Sequence, residues 1–258
     1  MANNDTISKT LIVATLLCVV CSVVVSTAAV LLKPAQVANK QLDFKRNILS
    51  AAGMLEEGVK IDEQFEAVEI KIVDMATGQF ADPSVVGDLE KYDQVKAAKE
   101  AGLSTPINND IAKVGQRENY AKIYVAKNSE GKDIVVLPVR GYGLWGTLYG
   151  FLAVEGDMNT VVGLGFYDHK ETPGLGGEVD NPRWKAIWVG KKLFSETGDI
   201  AIEVVKGAVD ASAAGAEHKV DGLSGATLTT KGVHNLVQFW LGEEGYGAFI
   251  ANMKKGSA

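Results

Sequence analysis

An uninterrupted apolar segment near the start of the chain restricts its folding more than any other feature. Between Lys9 and Lys33 no charged residue occurs, and residues 10–32 are mainly Leu, Ile, Val and Ala. A helix of that length matches the hydrocarbon core of a membrane, which is about 30 Å thick. Small residues at 26–30 come close to a signal-peptidase site, but the apolar segment is longer than that of a signal peptide. The sequence therefore predicts a retained membrane-spanning helix over residues 10–32.

The rest of the chain is long enough for a folded domain outside the membrane. Of the 258 residues, 1–9 form a short tail, and 33–52 carry apolar residues among charges in a pattern that predicts a helical connector. Residues 53–258 predict one domain of about 200 residues. The net charge of −6, without a basic stripe, argues against a nucleic-acid partner. Both cysteines lie in the apolar segment and the histidines are scattered, so no metal site is predicted.

Hydrophobic patterns predict that this domain is rich in strands. The predicted strands cover 66–77, 121–127, 133–139, 148–155, 160–167 and 200–206. A turn at 128–132 joins two of them as a hairpin. Charges over 88–102 predict a solvated helix, and Pro182 begins a predicted amphipathic helix over 181–194 whose tryptophans are assigned to the core. Adjacent strands with helices before and after are typical of α+β domains on a twisted, mainly antiparallel sheet.

A turn rich in small and hydroxyl residues occupies residues 221–232 and leads into a helical pattern. Apolar residues recur at helical spacing over 233–241, Gly242 supplies a stop, and Thr229 or Thr230 is the predicted N-cap. Its glycines allow backbone amides to approach a ligand closely, and a helix N-terminus favours an anion such as phosphate. Composition alone leaves open an ordinary capped helix after a tight turn.

Two well-known motifs do not fit this turn. A Walker loop requires Gly-x-x-x-x-Gly-Lys-Ser/Thr, whereas Lys231 here precedes its glycine. A nucleophile elbow requires Gly-x-Ser-x-Gly, and Ala226 occupies the place of the last glycine. Neither a nucleotide-hydrolysing loop nor an esterase-like nucleophile is therefore predicted.

Two further glycine-rich segments interrupt the predicted strands. Residues 140–146 read Arg-Gly-Tyr-Gly-Leu-Trp-Gly and place an aromatic side chain between glycines, and residues 171–178 read Glu-Thr-Pro-Gly-Leu-Gly-Gly-Glu. Each segment alone is equally compatible with a turn-rich connection. Together with the turn at 221–232 they offer a phosphate site, a slot for a planar ring and amides near its polar edge, which are the parts that a flavin needs.

The sequence Asp-Gly-x-Ser-Gly-Ala-Thr at 221–227 resembles the flavin-attachment signature of membrane-bound redox subunits. With the anchor, the length and the two glycine-rich segments, the whole chain resembles the C-subunit family of Na⁺-translocating NADH:quinone oxidoreductases. A flavoprotein subunit of the ion-pumping ferredoxin:NAD⁺ oxidoreductase complex carries the same signature and is the nearest alternative. The resemblance implies one covalent FMN per chain, joined by a flavin transferase through its phosphate to Thr227, with Thr229 as the second candidate acceptor.

Carried over by position, the resemblance implies a set of FMN-binding residues. They are Gly143, Leu144, Trp145, Gly146, Glu171, Thr172, Pro173, Leu175 and Gly176 from the two glycine-rich segments, and Ser224, Gly225, Ala226, Thr227, Leu228 and Thr229 from the turn. Lys206, next to Gly207, is added as a residue that could reach a phosphate, although a solvated strand end is an equal alternative.

The resemblance also implies the role and place of the chain. No acid–base pair or dinucleotide fingerprint is visible, so we expect a redox relay rather than a site that oxidises NADH. The resemblance implies that the relay leads towards quinone and is coupled to Na⁺ export, with NADH and quinone handled by other subunits. We expect single-pass insertion in the bacterial inner membrane with the folded domain in the periplasm. Basic residues at 33–46 outnumber those at 1–9, which favours the opposite orientation. A noncovalent phosphate-ligand module and a purely structural subunit remain alternatives.

Overall fold

The computed structural model describes residues 6–128 and 130–257, and its contacts divide the chain into two units between Phe44 and Lys45. The helices are α1 (Ile7–Ala51), α2 (Ile61–Phe65), α3 (Gln94–Ala97), α4 (Pro182–Ile187), α5 (Thr227–Leu241) and α6 (Gly247–Lys255). The strands are β1 (Glu69–Asp74), β2 (Gln79–Ala81), β3 (Ser104–Pro106), β4 (Gln116–Glu118), β5 (Tyr120–Lys127), β6 (Asp133–Tyr142), β7 (Thr147–Glu155), β8 (Val161–Asp168), β9 (Glu203–Val204) and β10 (Lys219–Val220).

Helix α1 is a single helix of 45 residues that covers the apolar segment and most of the segment expected as a connector. Among the described residues it is the helix that is long and apolar enough to cross a membrane. At about 1.5 Å per residue it is roughly 68 Å long, which is more than a hydrocarbon core of about 30 Å requires. Its last turns belong to the second unit, where Ile48 and Leu49 are fully buried.

The second unit is built on a six-stranded sheet in the order β2-β1-β5-β6-β7-β8, in which every neighbouring pair is antiparallel. The predicted hairpin is confirmed, since Lys127 pairs with Asp133 across the turn between β5 and β6. Three other predicted strands correspond to β1, β7 and β8, and the second hairpin strand continues three residues beyond its predicted end, to Tyr142. The α+β fold class, with an N-terminal apolar helix and a mainly antiparallel sheet, is confirmed.

Both faces of this sheet are covered, because side chains in a strand alternate between its two sides. On one face, Leu137 and Leu152 join the large core cluster that contains Leu236 of α5 and Phe249 of α6. On the other face, the rings of Phe151 and Tyr124 meet edge to face at 6.0 Å, and the ring of Phe65 on α2 follows at 6.3 Å from Tyr124. Helix α5 is thereby fixed across the sheet, which determines where its N-terminus lies.

The solvated helix predicted over 88–102 is wrong. Only α3 is helical there, and Ala97 and Ala98 are buried. The Asp88 carboxylate accepts hydrogen bonds from the N–H groups of Glu90 and Lys91. The Asp93 carboxylate likewise accepts from the N–H groups of Val95 and Lys96. These local bonds hold separate turns, and such side-chain bonds compete with a continuous helix.

Two other elements are shorter than predicted. Asn181 caps α4 and Pro182 begins it, as expected, but the helix ends at Ile187 and Gly190 turns the chain with a φ of 78°. The strand predicted over 200–206 is reduced to β9, which pairs with β10 in parallel. The prediction that Trp184 and Trp188 belong to the core is confirmed, since both are buried in the main cluster.

Candidate functional site

Three segments meet at one edge of the sheet. The Trp145 loop (residues 143–146) joins β6 to β7, the Glu171 loop (169–177) follows β8, and the Ser224 turn (221–226) precedes α5. Because β6, β7 and β8 are antiparallel neighbours, the Trp145 loop and the end of β8 lie at the same edge. Helix α5 approaches this edge closely, since a Cβ on Gly232 would lie 2.6 Å from the carbonyl oxygen of Tyr142.

The side chain of Glu171 connects these segments from a buried position. Its Oε1 accepts hydrogen bonds from the backbone N–H groups of Leu144, at 2.9 Å, and Trp145, at 3.0 Å. Its Oε2 accepts a hydrogen bond from the hydroxyl of Thr229, in the first turn of α5. A carboxylate is an acceptor with two oxygens, so one side chain satisfies donors from two separate elements.

Two glycines are required by the space that this carboxylate occupies. A Cβ on Gly143 would lie 2.6 Å from Oε1 of Glu171. A Cβ on Gly176 would lie 2.5 Å from both Oε2 of Glu171 and Oγ1 of Thr229. Neither glycine has a positive φ, so close approach rather than backbone conformation explains these two positions of the glycine-rich segments.

The predicted N-cap is wrong, whereas the predicted stop at Gly242 is confirmed. Helix α5 begins at Thr227, and its N-cap residue, Ala226, makes no side-chain cap bond. The hydroxyl of Thr230 instead accepts a hydrogen bond from the Leu223 N–H at 3.0 Å, and that of Thr229 is held by Glu171. The first backbone N–H groups of α5 therefore have no intrahelical acceptor and point out of the helix start.

The hydroxyls around the helix start differ in exposure. Thr227 and Ser224 are exposed, whereas Thr229 is 0% exposed. Large apolar side chains on the two loops and in the first turn of α5 are also exposed, with Trp145 at 63%, Leu228 at 59% and Leu175 at 46%. Grouped exposed apolar side chains commonly mark a surface that binds a ligand or another protein.

The structure places the implied site residues in two groups. Exposed are Leu144, Trp145, Thr172, Pro173, Leu175, Lys206, Ser224, Gly225, Thr227 and Leu228; buried or half-buried are Gly143, Gly146, Glu171, Gly176, Ala226 and Thr229. Leu175 reaches the Ser224 turn, since its Cδ2 lies 3.2 Å from where a Cβ on Gly225 would be. Lys206 lies outside the three segments.

The Ser224 turn is held by its neighbours on both sides. Gly222 donates its N–H to the carbonyl of Gly207 at 2.9 Å, which places the segment after β9, with Lys206, beside the turn. The side-chain carboxylate of Asp221 accepts a hydrogen bond from the Val209 N–H at 2.8 Å. The backbone carbonyl of Asp221 accepts one from the indole N–H of Trp184, also at 2.8 Å. The turn is therefore ordered by backbone and buried side-chain contacts.

Known proteins match both this site and the whole chain. Residues 143–242, from the Trp145 loop to the end of α5, match the FMN-binding domain family. The chain is 52% identical to the C subunit of the Na⁺-translocating NADH-quinone reductase of Pseudomonas aeruginosa, with 100% of each chain covered. It is 48% identical to the protein of the same name from Vibrio vulnificus, with 99% of each chain covered.

The chain belongs to the C-subunit family of Na⁺-translocating NADH-quinone reductases. The resemblance drawn from the sequence is thereby confirmed. Among solved structures, the chain is similar to NqrC of Shewanella oneidensis, with a TM-score of 0.77 and 35% identity over 84% of this chain and 99% of that one. It is also similar to the C subunit of the reductase from Parabacteroides distasonis, with a TM-score of 0.63 and 26% identity over 88% and 98% of the two chains.

One residue of the site, His169, was not predicted from the sequence; it lies between β8 and Glu171. Its Nδ1 accepts a hydrogen bond from the Glu171 N–H at 3.1 Å, and its Nε2 lies 2.7 Å from a carboxylate oxygen of Asp180. The available signal was a polar residue at the end of a strand, directly before a glycine-rich segment. Within residues 6–128 and 130–257, no group of three or more His, Cys, Asp or Glu side chains could hold a metal ion.

Proposed function

We propose that this chain is the FMN-carrying electron-transfer subunit of a Na⁺-translocating NADH-quinone reductase, with FMN joined through its phosphate to the Thr227 hydroxyl. The observation that carries this proposal is an exposed threonine at the start of α5, directly after a turn that the exposed Leu175 reaches. The match of residues 143–242 to FMN-binding domains supports FMN as the ligand.

The residues present fit the two chemically different ends of FMN. The first N–H groups of α5, which have no intrahelical acceptor, would face the phosphate, and a helix N-terminus stabilises a nearby anion by roughly 0.3–1 kcal/mol when exposed. The exposed side chains of Trp145, Leu144 and Leu175 would cover the apolar faces of a planar ring. Lys206 adds a cation beside the turn.

Within the site, the protein residues bind and orient rather than react. FMN, when bound, supplies the electron-transfer chemistry. Glu171 holds the Trp145 loop against the first turn of α5, so the aromatic wall and the attachment hydroxyl keep a fixed relation. A bond to Thr227 would prevent loss of the cofactor from an exposed site, which suits a protein that passes electrons repeatedly between other subunits.

The difference in burial supports Thr227 over Thr229 as the acceptor. A flavin transferase must reach the hydroxyl from outside, and Thr227 is exposed. Thr229 is fully buried and its hydroxyl is already donated to Glu171. Thr229 contributes to the proposed site by positioning the Glu171 carboxylate.

Mass spectrometry of the intact chain tests the proposal. Produced in a host that contains the transferase, the wild-type chain should gain one FMN minus water, about 438 Da, and Thr227→Ala should lose this mass. Thr197→Ala, at an exposed threonine outside the three site segments, is the control and should keep it. An unmodified wild-type chain, or modification that survives Thr227→Ala, would contradict the covalent proposal. Colour that is released on denaturation would indicate noncovalent binding.

We further propose that α1 anchors the chain in the bacterial inner membrane and that the sheet domain lies in the periplasm. The length and apolar surface of α1 support the anchor, and family membership supports the respiratory membrane. Orientation can be tested with a single thiol, because Cys18 and Cys21 are the native cysteines and both lie in α1. After their replacement by Ser, Glu196→Cys should react with a membrane-impermeant maleimide in intact cells. Labelling only after lysis would place the domain in the cytoplasm.

A further inference from the structure

We propose that His169 is a positioning residue of the site, which holds the Glu171 loop so that the Glu171 carboxylate can join the Trp145 loop to α5. The relevance of this inference to flavin binding rests on the proposed function, but its geometry does not. In the sequence His169 is one of three scattered histidines. Among the described residues, its ring nitrogens bond the Asp180 carboxylate and the Glu171 N–H, and not the exposed side chains assigned to the cofactor.

The hydrogen bonds of His169 assign its tautomer. The backbone N–H of Glu171 is a donor, so Nδ1 of His169 must be the acceptor and carry no hydrogen. Nε2 then carries the hydrogen and donates it to the Asp180 carboxylate. Lys185 forms an ion pair with the other oxygen of Asp180 at 3.5 Å.

The contacts therefore form a connected series from the surface to the site. Asp180 orients the ring of His169, and the ring fixes the backbone of Glu171. The side chain of Glu171 then bonds the Trp145 loop and Thr229. A partner behind a binding residue commonly fixes the orientation of that residue, and its loss loosens the site without removing a contact to the ligand.

The two ring nitrogens can be tested separately. In His169→Asn the amide oxygen replaces Nδ1 as an acceptor, whereas in His169→Gln the amide replaces only the Nε2 end. His169→Ala removes both. If acceptance from the Glu171 N–H is what matters, His169→Asn should resemble the wild type, and His169→Gln should resemble His169→Ala. A role in packing alone would not distinguish Asn from Ala in this way.

Amide hydrogen exchange measures the effect without any flavin. The full-length chain, in detergent and from a host without a flavin transferase, is compared with the three variants. In His169→Ala and His169→Gln, the Glu171 amide should exchange roughly three- to tenfold faster, the size of one net hydrogen bond. The amides of Leu144 and Trp145 should also exchange faster, because their acceptor is no longer held.

Two further variants complete the comparison. His218→Ala is the matched control, because His218 is buried to a similar degree, with 19% of its side chain exposed against 16% for His169, and its Nδ1 also bonds the backbone, at Lys192. It should leave the three amides unchanged. Should His169→Ala fail to fold, Asp180→Ala, on a half-exposed side chain, should still accelerate exchange at Glu171.

The outcomes separate this inference from the proposed function. Equal exchange in the Asn, Gln and Ala variants, or acceleration at Glu171 that leaves Leu144 and Trp145 unchanged, would overturn the role of His169. If the exchange pattern is as expected, His169→Ala should also lower the fraction of chain that gains about 438 Da in a transferase-containing host, and His169→Asn should not. A wild-type chain that never gains this mass would contradict the proposed function and leave the exchange result intact.

Discussion

At the residue scale, the site depends on the buried carboxylate of Glu171 and its donors. Glu171→Leu keeps the apolar part of the side chain but leaves the N–H groups of Leu144 and Trp145 and the hydroxyl of Thr229 without their acceptor. Of these donors the Thr229 hydroxyl is buried, and a buried donor left unpaired costs about 1–3 kcal/mol. We expect the free energy of unfolding to fall by at least about 2 kcal/mol, measured by urea denaturation of the purified chain.

Glu171→Gln should be milder, because its amide oxygen can accept from the two backbone N–H groups while its amide nitrogen donates to Thr229. Glu178→Gln is the control on the neighbouring turn, since that half-buried side chain accepts a bond from Asn181 alone among the described residues. It should change stability by less than about 1 kcal/mol. Equal losses for Glu171→Leu and Glu178→Gln would contradict the role given to Glu171.

The threonines in the first turn of α5 show what local sequence leaves undetermined. The apolar periodicity correctly predicted a helix here, but the cap was assigned to Thr229 or Thr230, whereas the helix begins at Thr227. The decisive partner of Thr229 is 58 residues away in sequence, on a loop that follows a different strand. Residue types therefore predicted the chemistry of this segment, and only the tertiary arrangement determined which hydroxyl is exposed.

At the scale of elements, the end of α1 is fixed to the sheet through a glycine of β8. A Cβ on Gly163 would lie 2.5 Å from the backbone carbonyl oxygen of Ala51, so Gly163→Ala must displace the helix end. Such overpacking costs about 1–3 kcal/mol. We expect the midpoint of urea unfolding to fall accordingly.

Gly165 provides a matched control on the same strand. A Cβ there would meet no atom within 4 Å, and its φ is not positive. Gly165→Ala should be neutral or stabilise by up to about 1 kcal/mol, because alanine restricts the unfolded chain. If Gly163→Ala is as well tolerated as Gly165→Ala, α1 is not held closely at this point.

A second element-scale contact joins the β3–β4 hairpin to the main sheet. Arg140 of β6 and Glu118 of β4 form an ion pair at 2.6 Å with both side chains buried. Arg140→Met leaves the Glu118 charge buried and alone, and loss of one partner of such a pair costs about 3–5 kcal/mol. Lys127→Met, which breaks an exposed pair with Asp133, should cost less than about 1 kcal/mol in the same denaturation assay.

At the scale of the whole molecule, the fold class and the site segments could be predicted more reliably than the connections. The central strands alternate regularly and pair with sequence neighbours, so local patterns were sufficient for β5, β6, β7 and β8. Strand β9 instead pairs in parallel with a segment beyond a long connection, which no local pattern specifies. The Asx turns at Asp88 and Asp93 likewise replaced a helix that charge composition alone suggested.

The stability of the whole molecule should fall in mildly acidic solution through His234 of α5. Burial lowers the pKa of His234, with a smaller opposing effect from Glu203 and a smaller reinforcing one from Lys231. Because of this shift, the folded state binds a proton at His234 less readily than the unfolded state does. The contribution of neutral His234 to stability is fully present above its pKa in the unfolded chain, about 6.5, and is lost as the pH falls through its lower pKa in the folded chain.

His234→Asn tests this expectation, since its amide oxygen can still accept from the Val204 N–H, which bonds Nδ1 of His234 at 3.4 Å. Below about pH 6.5, the free energy of unfolding, measured with urea, should change less steeply with pH in the variant than in the wild type. Well above that pH, the free energies of unfolding of the two chains should differ by a constant amount, because His234 is neutral in both the folded and the unfolded chain. A variant whose slope equals that of the wild type would mean that another group controls the acid response. Asp157, whose pKa is lowered, cannot account for a loss of stability near pH 6, because an Asp titrates in a more acidic range, below about pH 4.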